Sequence, residues 1–200
     1  DAGSGKYRLG LRTYIIGASC TSQSGFEPLI NIMNSVTEST QETSQFGILE
    51  GGNVLYVAKK DSPQAIRMIS WVGTKLPANA TAIGKALLSD LTDEQIRDLY
   101  RDGLPKLTEH TISDMDLLLG QIEQIRCGEI ATETEESTPQ MRCFAVPIRH
   151  NGRVDAALSI SVPILRYTDE KRVQICQCLR EAQQQIEQLV GLYNFELIKP

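Results

Sequence analysis

Two residues, Asn151 and Gly152, constrain this chain more than any others. Asn-Gly tolerates positive φ at both central positions of a two-residue turn whose twist matches that of antiparallel strands. On either side stand runs rich in apolar residues, MRCFAVPIR over 141–149 and RVDAALSISV over 153–162. This spacing predicts two long strands closed into a hairpin, and therefore an antiparallel sheet. Alternation divides the second strand: Val154, Ala156, Leu158, Ile160 and Val162 face one way, and Ala157, Ser159 and Ser161 the other. The two serines then sit roughly 7 Å apart on one face. Such a pair suits an ordinary polar outer face as well as the lining of a site.

A second hairpin is expected from 43–49 and 54–60 around Glu50-Gly51-Gly52-Asn53, with a third strand over 66–72 ending at Gly73. Residues 130–133 read as one further short strand. A helix is expected from Pro28, with Leu29, Ile32, Met33 and Val36 on one face. Thr92 to Gln95 forms a capping box, and Ser113 to Asp116 opens a helix that carries Leu118, Ile122 and Ile125 and stops near Gly128. Thr168 caps a long last helix with the apolar stripe Val173, Cys176, Leu179, Ala182, Ile186, Leu189 and Tyr193. Helices, strands, helices, strands and a final helix make one α+β domain around an antiparallel sheet.

The stretch Leu76 to Ser89, LPANATAIGKALLS, adds a possible site. Thr81 is placed to cap a helix whose first turn is Ala82, Ile83 and Gly84, small residues that leave the partnerless first-turn amides approachable. A helix N-terminus of this kind suits a carboxylate or phosphate, although most such starts bind nothing.

Composition narrows the function classes. With 200 residues and 41% apolar content the chain can bury a full core. A net charge of −5 without any Lys/Arg cluster argues against nucleic-acid binding by this stretch alone. No signal peptide or 18-residue apolar span is present in the sequence, so no membrane partner is expected and a cytoplasmic setting is the default. The five cysteines, Cys20, Cys127, Cys143, Cys176 and Cys178, show no metal-ligand spacing and read as free thiols. With His110 and His150 the only imidazoles, neither zinc nor a serine-type triad has material, and no cofactor is expected.

Taken together these segments resemble the effector-binding domain of IclR-family bacterial transcription regulators, which follows a winged helix-turn-helix. Leu76-Pro77 through Leu87 is similar to that family's P-x-H-A-T-A-x-G-K-A-L helix. Thr108 to Ile112 is similar to its T-x-x-T-I segment, and Glu135-Glu136 with Arg142 to Pro147 resembles its E-E and R-C-x-A-x-P pattern. Leu158 to Pro163 looks like its S-x-S-x-P strand, and Gly5 to Gly10 like the end of its DNA-binding wing. The resemblance implies a GAF-like fold with a six-stranded antiparallel sheet flanked by helices. Residues 1–25 would be the end of the wing and a linker helix, the latter over 11–22, and residues 26–200 the effector-binding domain. It also implies homodimers or homotetramers, a small carboxylate effector, and operator DNA held through an N-terminal domain that this sequence lacks. Carried over residue by residue, the effector contacts would be the backbone amides of Ala82 and Ile83 and the side chains of Glu133, Cys143, Ser159 and Ser161. Asn79 stands where the family often has His, Gln140 where it usually has Gly, and Glu133 where Asp is common. A longer acid at 133 favours a ligand hydroxyl or hydrate as its partner, and so keto, hydroxy or sugar acids.

One conflict is built into this reading. A strict two-residue hairpin places Cys143 opposite Ile160, with its thiol on the face away from Ser159; a β-bulge at Pro147, which cannot donate to a ladder, would bring them together. Two other functions remain open from the residues. Cys143 would be a nucleophile if an imidazole lay beside it, but His150 at the hairpin tip is roughly 23 Å away along the strand. A module serving only dimerisation is the third.

Overall fold

The computed structural model describes residues 26–193. The expected wing and linker helix lie outside them. A helix, α1 (Phe26–Thr40), leads into the hairpin β1 (Thr43–Glu50) and β2 (Asn53–Lys60), and the short β3 (Lys75–Pro77) follows a long connection. A single 3-10 turn over Ala78–Ala80 precedes α2 (Ala82–Leu88), then α3 (Asp93–Leu99) and α4 (Met115–Arg126). The second set of strands is β4 (Ala131–Thr134), β5 (Met141–His150) and β6 (Arg153–Pro163), before the long α5 (Asp169–Tyr193). All six strands form one antiparallel sheet in the order β3-β2-β1-β6-β5-β4, two meanders joined where β1 pairs with β6.

Local chemistry accounts for most boundaries. Gly51 and Gly52 take φ of +54° and +79°, and Asn151 and Gly152 take +51° and +81°, as two-residue hairpin turns require. Thr81 Oγ1 accepts from the Gly84 amide at 3.0 Å. Thr92 and Gln95 form the reciprocal capping box, and Asp114, not Ser113, caps α4 through the amides of Asp116 and Leu117. Thr168 Oγ1 accepts from the Lys171 amide at 3.1 Å at the start of α5.

The sheet carries a different layer on each face. On one side α1 and α5 lay Met33, Val36, Ile175, Leu179 and Ile186 against Phe46, Phe144, Leu158 and Ile160, all buried and apolar. On the other, α2, α3 and α4 lay Ile83, Leu87, Ile96, Leu118 and Ile122 against Val54, Tyr56, Cys143, Ala145 and Ala157. The first is the long-helix face and the second the short-helix face.

Three expectations fail in detail. No third strand forms over 66–72, because the carbonyls there serve side-chain cations rather than a ladder. Arg166 Nη1 donates to Ile66 O at 2.8 Å, and Lys59 Nζ to Met68 O at 3.4 Å and Ser70 O at 2.7 Å. Ile66, Ile69, Trp71 and Val72 are left exposed, and the strand forms at Lys75–Pro77 instead. The stripe of α5 runs through Ile175, Leu179, Ala182, Ile186 and Val190, with Val173 66% exposed: a 3.6-residue period carries the buried face away from the start of the 3.5-residue pattern. The hairpin bulge exists but lies beyond Pro147. His150 and Arg149 pair with Arg153 and Val154, whereas Ile148 pairs with Ala156, so Asp155 is the extra residue. Its carboxylate lies 3.4 Å from His150 Nδ1, and Val154 turns to the short-helix face.

Candidate functional site

The bulge decides the composition of the short-helix face. Below it Cys143 pairs with Ser161 and Ala145 with Ser159, while Glu133 of β4 pairs with Cys143 and Gln45 of β1 with Ser159. Alternation then brings Glu133, Cys143, Ser161, Ser159 and Gln45 onto one face of four adjacent strands. Cys143 Sγ lies 3.2 Å from Ser161 Oγ, Ser161 Oγ donates to Gln45 Oε1 at 3.1 Å, and Ser159 Oγ lies 3.5 Å from Gln45 O. None of the five is more than 7% exposed.

Small residues admit α2 beside this row. Gly47 of β1 pairs with Ala157, and a Cβ on Gly47 would meet Ile83 Cδ1 at 3.3 Å and Val54 Cγ1 at 2.8 Å. On the other side of α2, a Cβ on Gly84 would lie 2.2 Å from Ala78 O, so the helix start is locked to the turn before it. Ala82 and Ile83 are buried in the same cluster as Cys143, Ala145 and Ala157. Thr81 takes the Gly84 amide, whereas helix geometry gives the amides of Ala82 and Ile83 no intrahelical acceptor.

A charged group stands behind Glu133. Lys85 Nζ on α2 bonds Glu136 Oε1 at 2.5 Å and Gln121 Oε1 at 2.8 Å, with its side chain fully buried. Burial draws the Lys85 ammonium down from its ordinary value, against the opposing pull of Glu136. Glu133 accepts from the Glu136 amide at 2.8 Å and from Ser137 Oγ at 3.1 Å. Burial nevertheless raises its carboxyl above the usual range, so it keeps its proton to higher pH than a surface glutamate. Thr108 and Thr111 donate to the carbonyls of Glu135 and Glu136, each at 2.6 Å, and fix this loop. An open cleft of about 550 Å³ is lined by residues that include Thr108, His110, Glu135 and Ser137, the last of which donates to Glu133.

These observations describe a buried polar row beside a helix start, and comparison with known proteins identifies the family of the chain that carries it. The family described as bacterial transcriptional regulator IclR C-terminal matches residues 26–188. The chain belongs to the IclR family. The HTH-type transcriptional regulator KdgR of Dickeya chrysanthemi is 30% identical over 195 residues, which are 96% of this chain and 64% of that protein. The chain thus spans under two thirds of that relative's length. The crystal structure of the C-terminal domain of Escherichia coli KdgR superposes with a TM-score of 0.74 at 29% identity, covering 83% of this chain and 98% of that one. The IclR structure from Thermotoga maritima gives 0.80 at 26% identity, covering 92% and 76%.

As an IclR C-terminal domain, the chain departs from the family's pattern at three places that the structure describes. Asn79 donates to Pro105 O at 3.0 Å and Ile112 O at 3.4 Å, holding the loop that carries Thr108 and Thr111, while its Oδ1 is buried without a partner. Gln140 has φ of +61°, the left-handed region that favours the glycine usual there, and its amide donates to Glu135 Oε1 at 2.7 Å. Glu133 fits its longer side chain by accepting from two groups of the loop behind it.

The thiol of Cys143 is in the wrong surroundings for a nucleophile. Burial, with Glu133 beside it, pushes its pKa well above that of an ordinary cysteine. The imidazoles lie elsewhere, His110 Nε2 3.7 Å from Glu109 and 4.0 Å from Glu135, and His150 at the hairpin tip. Reasoning from sequence missed Gln45 and the Lys85–Glu136 pair. Lys85, Thr108, Thr111 and Glu136 did stand inside the quoted motifs; Gln45 carried no signal beyond alternation.

Proposed function

We propose that this domain is the effector sensor of an IclR-type regulator: it binds a small carboxylate in the buried row, and occupancy controls operator binding by a helix-turn-helix elsewhere in the whole protein. One observation carries the reading. Four polar side chains, Glu133, Ser159, Ser161 and Gln45, with the Cys143 thiol among them, are at most 7% exposed on a face otherwise packed with Val54, Ala145, Ala157 and Leu87. Buried polar groups cost stability unless paired, and apolar residues of the same shape would pack as well. Such a row therefore serves something other than the core. The amides of Ala82 and Ile83 and the hydroxyls of Ser159 and Ser161 are the carboxylate's donors, and the helix start adds a favourable field of about 0.3–1 kcal/mol. The Glu133 carboxyl, raised above its ordinary value by burial, favours its uncharged form, which lessens repulsion of an anion. It serves a hydroxyl, keto or hydrate oxygen of the effector, which makes keto, hydroxy and sugar acids the preferred class.

The same reading makes the protein a regulator rather than an enzyme, in keeping with its HTH-type relatives and with a thiol pushed away from reactivity. It works in the cytoplasm, as a homodimer or homotetramer. Among the described residues no helix is long and apolar enough to cross a membrane. The test is a thermal-shift screen of the 200-residue chain against small carboxylates. An acid at a hundred times its Kd stabilises a single-site domain by about 2.7 kcal/mol. No shift with any keto, hydroxy or sugar acid would overturn the reading.

A further inference from the structure

Gln45 has no place in the motifs quoted above, and its carboxamide is engaged at both ends. Oε1 accepts from Ser161 Oγ at 3.1 Å, and Nε2 donates to Ser70 Oγ at 2.7 Å. Ser70 belongs to the connection between β2 and β3, and Lys59 Nζ holds its carbonyl at 2.7 Å while bonding Asp61 at 2.7 Å. One amide thus joins the buried Ser161 to the strap over 61–74.

A serine hydroxyl has a single proton. When Ser161 gives it to Gln45 Oε1, none is left for a ligand. A carboxylate that accepts from Ser161 strips Oε1 of its donor, and at 2% exposure Gln45 has no ready solvent to replace it. A half-turn of the carboxamide restores every bond. Oε1 then accepts from Ser70, whose hydroxyl reverses from acceptor to donor, and Nε2 presents a proton to the ligand oxygen. Serine hydroxyls rotate freely enough to serve either arrangement, and the backbone does not have to move.

We propose that Gln45 is a specificity-determining contact that turns its amide on binding and donates to the effector's carboxylate. The proposal rests on the row being a carboxylate site, and it assigns to Gln45 the choice of carboxylate over carboxamide: a ligand amide presents its own N–H₂ to the Gln45 donor, whereas a carboxylate presents only acceptors.

The experiment is calorimetric titration of the 200-residue chain with lactate, pyruvate and gluconate, each beside its primary amide, in the wild type, Gln45→Glu, Gln45→Met and the Ser159→Ala/Ser161→Ala pair. Gln45→Glu, titrated at a pH at which its buried carboxyl is ionised, offers only acceptors. It should weaken the acid roughly 10- to 100-fold, the equivalent of one charge-assisted hydrogen bond, and strengthen the amide, inverting the preference. Gln45→Met, of similar volume and uncharged, should weaken the acid about tenfold without helping the amide. An unchanged acid-to-amide ratio in folded Gln45→Glu overturns the proposal. If that variant does not fold, undiminished acid affinity in Gln45→Met overturns it instead. Where the serine pair loses affinity and the Gln45 variants do not, only the role of Gln45 fails. Where the wild type binds none of the acids, or the serine pair keeps full affinity, the carboxylate site itself fails and Gln45 with it.

Discussion

The two faces of the sheet are built from the same strands and obey different rules. Phe144 and Ile160 pair across β5 and β6 on the long-helix face, and one residue along each strand Cys143 and Ser161 pair on the other. Both pairs are buried, yet the first is wholly apolar and packed by α1 and α5, while the second joins a hydrogen-bonded row under the start of α2. Both faces bury an apolar cluster, but only the short-helix face also buries a hydrogen-bonded polar row, and the proposed division is that this row serves the effector more than the fold.

The largest test of that division is stability. Truncating Phe144 to Ala should cost about 3–5 kcal/mol, through lost transfer energy and the cavity left behind. Ser159→Ala removes only a contact at 3.5 Å, near the weak limit of a hydrogen bond, and should cost about 0.5 kcal/mol or less. Urea denaturation measures both. Comparable losses would mean that the short-helix face is core as much as the other.

A smaller effect distinguishes the faces by pH. Burial raises the Glu133 carboxyl above its ordinary 4.5, with hydrogen bonds from Cys143, Glu136 and Ser137 opposing in part. An acid whose folded pKa exceeds its unfolded one contributes stability that is complete below the unfolded value and lost as pH rises through the folded one. In Glu133→Gln the amide oxygen can still accept from the Glu136 N–H and the amide nitrogen can donate to Ser137 Oγ. This variant should therefore melt above the wild type at neutral pH, with the gain shrinking as pH falls toward 4.5. A melting difference that does not vary with pH would show that burial does not raise the Glu133 carboxyl. Smallest is Gln140→Gly at φ +61°: relief of left-handed strain, about 1–2 kcal/mol, is offset by the entropy of glycine, about 0.4–1 kcal/mol. A net gain between about 0 and 1.6 kcal/mol is expected by urea denaturation.

What the sequence made legible follows the range of the interactions involved. The Thr81 cap, the Thr92 capping box and the two hairpin turns depend on neighbours within four residues, and each is found where the pattern places it. The strap failed because its fate depends on Lys59 and Arg166, distant in sequence, taking carbonyls that a strand would have used. Alternation located the serine pair, but the position of Cys143 turned on one extra residue. Nothing in the pattern distinguishes Asp155 from Pro147 as the bulge, and a one-residue slip changes the face of every side chain beyond it. Gln45 was invisible for a related reason: it reaches Ser161 only because β1 pairs with β6, a contact 116 residues apart.

The most direct measurement of the central claim is calorimetric titration of the Ser159→Ala/Ser161→Ala variant with whichever small carboxylate most stabilises the wild type. Each lost charge-assisted hydrogen bond is worth about 1.5–3 kcal/mol, so affinity should fall by roughly two to four powers of ten while the melting transition stays cooperative. A folded double variant that binds the acid as tightly as the wild type would contradict the assignment of the short-helix face as the effector site.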